Sequence, residues 1–172
     1  MPFTPFHFGP AIFFGMLLRK NMHIPTFIVA NVILDIEPFL VLTLGLGYPL
    51  HGYFHTFIIG VFTGFVVGLF MLRLERLLAS FHKSLLLEPD SEQGLGRFML
   101  AGSSGTLLHV LLDSPLYGDI RPLYPLTVNP FYNPVLTEAI YFFCIVTGGI
   151  GVFLHLSMLF IPMVMGYLKK LK

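Results

Sequence analysis

The chain has 172 residues, 55% of them hydrophobic and only 11% charged, with a net charge of +1, where a soluble domain carries roughly 25% charged residues. So few charges cannot cover a soluble globule, which excludes a disordered chain, a nucleic-acid binder built on a basic surface and most soluble enzymes. The single cysteine, Cys144, excludes an internal disulfide and a zinc site built on several thiolates.

Uncharged stretches of about 20 residues are long enough to cross roughly 30 Å of hydrocarbon as helices. Their distribution predicts one all-α domain over residues 1–172, an integral membrane bundle of about five helices with a short first one. Residues 10–18 are apolar but make only half a span. The proline-crowded start, with Pro2, Pro5 and Pro10 and no basic region ahead of the apolar stretch, is expected to stay in the mature protein. Residues 25–45 form the second span, interrupted by Asp35 and Glu37. Residues 54–72 form the third, with His55 near its start. A polar, solvated loop over about 73–97 follows, including the run Glu88-Pro-Asp-Ser-Glu92. Residues 97–117 form the fourth span, interrupted by His109 and Asp113. A stiff, proline-rich loop over about 118–134 leads to the last span, 139–168, which can kink at Pro162 and holds a lone core histidine, His155.

Five alternating helices put Arg19, Lys20, Arg73, Arg76, Lys83, Arg97, Lys169, Lys170 and Lys172 on one side and only Arg121 on the other. The positive-inside rule then predicts a multi-pass protein of the cell membrane, N-terminus out and C-terminus cytoplasmic. Tyr48, Tyr53, Tyr117, Tyr124 and Tyr132 lie in or near the outer loops, as an interfacial aromatic belt would. His23 and His82 fall on the cytoplasmic side and read as solvated. Gly60, Gly64 and Gly68, and the Gly102-Ser-Ser-Gly105 segment, mark close helix-packing faces.

Ionisable groups inside a span are expensive and point to function. Here His7, Asp35, Glu37, His51, His55, His109 and Asp113 are all imidazoles or carboxylates, and no lysine or arginine lies inside the predicted spans beyond Arg97 at the very edge of the fourth. A metal cation would neutralise several carboxylates at once. His109 and Asp113 are four apart, on one helical face, and His51 and His55 are too if the helix begins by His51. Asp35 and Glu37 would diverge on a regular helix, but Pro38 disfavours helical backbone at Glu37, and a break there can turn both inward. At a rise of about 1.5 Å per residue, His7, Asp35, Glu37 and His109 lie roughly 15–18 Å from the basic edge, and His55 and Asp113 roughly 24–26 Å. Groups from four segments therefore fall in one slab in the outer half of the bilayer. Mixed imidazole and carboxylate ligands suit zinc, iron or manganese. Glu138, at the head of the last helix, suits its N-terminal dipole. Asp119 and Arg121 are loop residues near the same side.

The segments Thr4-Pro-Phe-His7, Asp35-Ile-Glu37, His51-Gly-Tyr-Phe-His55 and Gly105-Thr-Leu-Leu-His109-Val-Leu-Leu-Asp113 resemble, in order, the motifs of the YdjM-like membrane-bound metal-dependent hydrolases. The opening Met-Pro-Phe-Thr-Pro-Phe-His looks like the family's archaeal branch. The resemblance covers residues 1 to about 130, with a remoter likeness to zinc-dependent phospholipase C. It departs at His51–His55, where relatives often carry His-Arg-Gly-x-Thr-His, and at Glu37, where many have aspartate. The resemblance implies one or two divalent ions, zinc foremost, held by His7, Asp35, Glu37, His51, His55, His109 and Asp113. Glu37 and His55 are then the candidate catalytic groups. It also implies a lipid or phosphoester substrate drawn from the bilayer, with no nucleic acid as partner. The alternatives that the residues leave open are a metal-ion or solute transporter and a non-catalytic scaffold with a structural metal.

Overall fold

A computed structural model describes residues 4–85, 87 and 94–170. Pro2, the Glu88–Glu92 run and Lys172 lie outside them. The described elements are the helices α1 (Thr4–Leu17), α2 (Ile24–Ile33), α3 (Ile36–Leu44), α4 (Phe57–Ser84), α5 (Leu95–Asp113) and α6 (Thr137–Lys170), with single 3-10 turns at Tyr53–His55 and Pro134–Leu136. The all-α bundle is as the hydropathy pattern predicts. Four segments are long and apolar enough to cross a membrane: Ile24–Leu44, Phe57–Ser84, Leu95–Asp113 and Pro134–Ile161, and α1 is the short apolar helix. Large apolar side chains point out of the bundle, among them Ile58, Phe62 and Phe70 on α4 and Phe142 and Phe153 on α6, each more than 60% exposed. Water would not tolerate such a surface, whereas lipid tails would.

The second span is broken where Pro38 predicts. Proline has no N–H, so the Leu34 carbonyl cannot be met from residue 38. Glu37 N–H takes it instead at 3.0 Å, and Asp35 N–H turns to the Val32 carbonyl at 3.2 Å. The two halves, α2 and α3, meet at this tight turn, and α3 ends on Gly45 in the left-handed region at φ +61°.

The glycine ridge also does what its spacing predicts. A Cβ on Gly64 would collide with the Gly102 carbonyl and Thr106, and one on Gly68 would lie 2.5 Å from the Phe98 carbonyl. Backbones of α4 and α5 touch because nothing stands between them. On the other face of α5, a Cβ on Gly105 would lie 2.7 Å from the Phe27 carbonyl of α2. The bundle is thus layered α4–α5–α2, with α1 against α6 beside it.

Three expectations are corrected. Residues 51–55 are a bend and a 3-10 turn, so His51 and His55 are not an i,i+4 pair on a helix. Helix α4 starts only at Phe57, where the Thr56 side chain caps the Ile59 N–H at 3.2 Å. Second, α4 continues past residue 72 to Ser84, so Arg73, Arg76 and Lys83 are helical and the predicted loop over 73–97 is shorter. Its Leu, Glu, Arg and Ala residues are good helix formers and carry the helix on for three turns. Third, His23 and His82 are not solvated but buried, against Glu75.

Candidate metal centre

At one end of the bundle, opposite the basic residues, the break in the second span sets up the site. The Asn31 carbonyl, at the end of α2, is no longer taken by Asp35 N–H, and it accepts instead from His109 Nδ1 at 2.7 Å. That bond puts the proton of the neutral ring on Nδ1 and leaves Nε2 bare. His109 is fully buried on α5, and its Nε2 lies 3.2 Å from His55 Nε2, 3.4 Å from Asp113 Oδ2 and 3.7 Å from Asp35 Oδ1. His7, from α1, stacks on the His109 ring at 4.0 Å and brings Nε2 to 3.1 Å from Asp113 Oδ1.

His55 repeats the device. Its Nδ1 donates to Glu37 Oε2 at 2.9 Å, so its Nε2 is also bare where it faces His109. His51 repeats it again, with Nδ1 against both Asp119 oxygens at 3.0 and 3.1 Å, its own backbone N–H on Oδ2 at 3.1 Å, and its ring stacked on Tyr117 at 4.3 Å. Burial pulls His55 below its ordinary 6.5 in spite of the Glu37 hydrogen bond. Burial pushes the Asp119 carboxyl up, but the His51 hydrogen bonds and charge outweigh it and hold it below 3.8. Burial thus keeps the His55 ring neutral, and the His51 contacts keep Asp119 ionised.

The structure therefore brings six of the seven predicted residues to one place. His7, Asp35, His109 and Asp113 offer ligand atoms within 4.8 Å of one another, and so do His51, His55 and Asp113. These buried groups can hold a metal ion. Both Asp35 oxygens, Asp113 Oδ2, His7 Nδ1 and His51 Nε2 are buried without a hydrogen-bond partner. Among the described residues, every ion pair at the site joins a carboxylate to a histidine, and none involves a lysine or arginine. Leaving carboxylates buried so costs several kcal/mol each. Two bare ring nitrogens at 3.2 Å likewise need a proton or a cation between them. Zinc–nitrogen bonds of about 2.0–2.1 Å in a tetrahedron set ligands roughly 3.3 Å apart, which matches the spacing here.

Glu37 is placed differently. Besides His55, its carboxylate accepts from Gly52 N–H at 3.0 Å and from Phe54 N–H and the Tyr48 hydroxyl at 3.4 Å each. It holds the 48–55 loop and orients His55, and it belongs to neither ligand group. Asp119 was legible only as a loop acid; nothing local ties it to His51, 68 residues away. His155 and Glu138 stand apart from both groups.

Beside His51 a cavity of about 270 Å³ opens, lined by Tyr48, Tyr53, Asp119, Arg121 and Tyr124. No protein-family model, curated protein or solved structure matches the chain.

Proposed function

We propose that the protein is a membrane-embedded metal-dependent hydrolase acting on a phosphoester or lipid-like substrate, as its resemblance to the YdjM-like family implies. The observation that carries the reading is the common orientation of three imidazoles. His51, His55 and His109 each anchor Nδ1 on an acceptor and turn Nε2 toward a buried carboxylate group in which both Asp35 oxygens and Asp113 Oδ2 make no hydrogen bond. Anchoring of that kind orients histidine ligands, the part His55 and His109 take, and for His51 it leaves Nε2 open to accept a proton.

His7, Asp35, His55, His109 and Asp113 are the ligands in this reading, and zinc is the ion. A divalent ion held there supplies Lewis acidity to a phosphoryl oxygen and to the attacking water. The chain's own residues do the rest. Arg121, at the cavity wall, binds the substrate's anionic group. His51, in the same wall and backed by Asp119, takes the proton from the attacking water at Nε2. Glu37, a candidate catalytic group by the resemblance, fixes the His55 ring in this reading, and the general base is His51. With the basic end cytoplasmic, the cavity opens at the outer face, level with lipid headgroups.

The test is turnover of a panel of phosphoesters and phospholipids by the purified full-length protein. Activity should appear with metal, disappear with chelator and be lost in His109→Ala. Absence of stoichiometric metal, or full activity in His109→Ala, overturns the reading.

One observation favours transport instead: a second buried polar cluster, His23 with Glu75 and His82, stands at the basic end. Between the two ends, however, Phe27, Ala30, Phe98 and Ala101 are packed and at most 2% exposed. The cavity is therefore blind, and liposomes carrying the protein should show no metal-ion flux.

A further inference from the structure

The cluster at the basic end does not share residues with the outer centre. His23 precedes α2, while Glu75 and His82 stand seven residues apart on α4, on one face. Side chains on a helix lean toward its N-terminus, so His82 reaches back toward Glu75. Their exposures are 0%, 8% and 5%. His82 Nδ1 lies 2.7 Å and His23 Nε2 3.1 Å from the same oxygen, Glu75 Oε2. The Phe98 ring stacks on His23 at 4.2 Å and 25° and fixes its plane.

His23 supplies the second observation. Its Nε2 is fully buried and makes no hydrogen bond, although it is aimed into the cluster. Nδ1 is held by Thr26, whose Oγ1 lies at 2.7 Å, while the contact from Thr26 N–H is longer at 3.3 Å. As it stands Nδ1 accepts from Thr26 N–H; to ligate a metal at Nε2 the ring shifts its proton to Nδ1, donates it to Thr26 Oγ1 at 2.7 Å and gives up the longer 3.3 Å bond.

We propose that His23, Glu75 and His82 form a second divalent-metal site, a clamp that ties the start of α2 to the end of α4 at the basic end of the bundle. The three ligand atoms lie within 4.8 Å of one another. Two imidazoles and a carboxylate suit zinc, iron or manganese. Phe98 and His109 are eleven residues apart on α5, roughly 16 Å, so the two centres bind independently. The clamp does not depend on the outer centre being catalytic.

The experiment counts zinc by mass spectrometry in full-length protein stripped with chelator and reloaded. His82→Ala and Glu75→Gln should each bind one ion fewer than the unsubstituted chain. A His109→Ala/Asp113→Ala variant should keep one ion, and X-ray absorption at the zinc edge should show its two histidine ligands. Adding Glu75→Gln to that variant should remove it. Glu75→Gln is near-isosteric and still accepts hydrogen bonds, which guards against misfolding. A melting curve gives the second readout: zinc should raise the melting temperature of His109→Ala/Asp113→Ala and lose that effect once Glu75→Gln is added. If the outer-site variant binds no zinc, or if His82→Ala and Glu75→Gln bind as much as the unsubstituted chain, the cluster is a hydrogen-bonded His–Glu–His group and the clamp is wrong. If instead the outer-site substitutions change nothing while Glu75→Gln removes an ion, the clamp stands and the outer centre fails.

Discussion

Replacing Glu37 separates a ligand from a residue that holds a ligand. Its Oε2 accepts two short hydrogen bonds, from His55 Nδ1 at 2.9 Å and Gly52 N–H at 3.0 Å, while Oε1 has only the two 3.4 Å contacts. In Glu37→Gln the amide oxygen can take the place of Oε2 and keep both short bonds. The charge is lost, and the amide NH2 faces Phe54 N–H. In Glu37→Ala both bonds go, His55 is free to turn, and Gly52 N–H loses its acceptor. Removing such an outer partner costs about 10–100-fold in metal affinity, or about 1.4–2.8 kcal/mol. Glu37→Gln should fall near the lower figure and Glu37→Ala near the upper, with the number of bound ions unchanged in both. Competition for zinc against a chromophoric chelator reads the affinity, and mass spectrometry reads the stoichiometry. If Glu37→Gln loses an ion outright, Glu37 is itself a ligand. If Glu37→Ala binds with unchanged affinity, His55 is not oriented by it and does not contribute to the centre as described.

Three other substitutions test separate links. His51→Ala should lower turnover of the best phosphoester by about 10²–10⁴-fold while zinc content stays the same, as expected for a lost general base; loss of zinc would make His51 a ligand instead. Asp35→Asn should cut the melting shift caused by zinc to the part that the His23–Glu75–His82 clamp supplies, yet raise the melting temperature of chelator-treated protein, because it removes a buried carboxylate with no hydrogen-bond partner, a burden of about 1–3 kcal/mol or more. A less stable apo protein would show that Asp35 has another partner. Gly64→Val should destabilise the fold by about 1–3 kcal/mol by forcing α4 from α5 and weaken zinc binding through the His55–His109 spacing. Gly149→Ala, which meets nothing within 4 Å, should do neither.

Much of this was legible in the sequence because a membrane simplifies the grammar. Spans announce themselves by length and lack of charge, Gly60, Gly64 and Gly68 by their spacing, and the helix break by Pro38. The histidines and acids stood out because a bilayer makes each of them costly. What stayed hidden depended on contacts far apart in the chain. The pairing of His51 with Asp119 joins two loops, and no local pattern encodes it. Glu37 looked like a ligand because Pro38 could turn it inward. Its carboxylate instead satisfies the N–H groups of a loop that Pro49 and Gly52 keep out of helix. His23, Glu75 and His82 were missed for the opposite reason. Near basic residues an imidazole or carboxylate looks solvated, and only the continuation of α4 beyond residue 72 brings Glu75 and His82 over His23.

The same helix break accounts for both the geometry and the chemistry of the outer centre. It frees the Asn31 carbonyl to fix His109 and leaves Asp35 facing inward at the turn. The metal reading therefore turns on the two Nε2 atoms that meet at 3.2 Å. An anomalous-scattering map recorded at the zinc edge on crystals of the zinc-loaded protein tests this most directly. The expected peak lies about 2.0–2.1 Å from Nε2 of both His55 and His109, within reach of Asp35 and Asp113. A zinc-loaded crystal with no peak between those two nitrogens would contradict it.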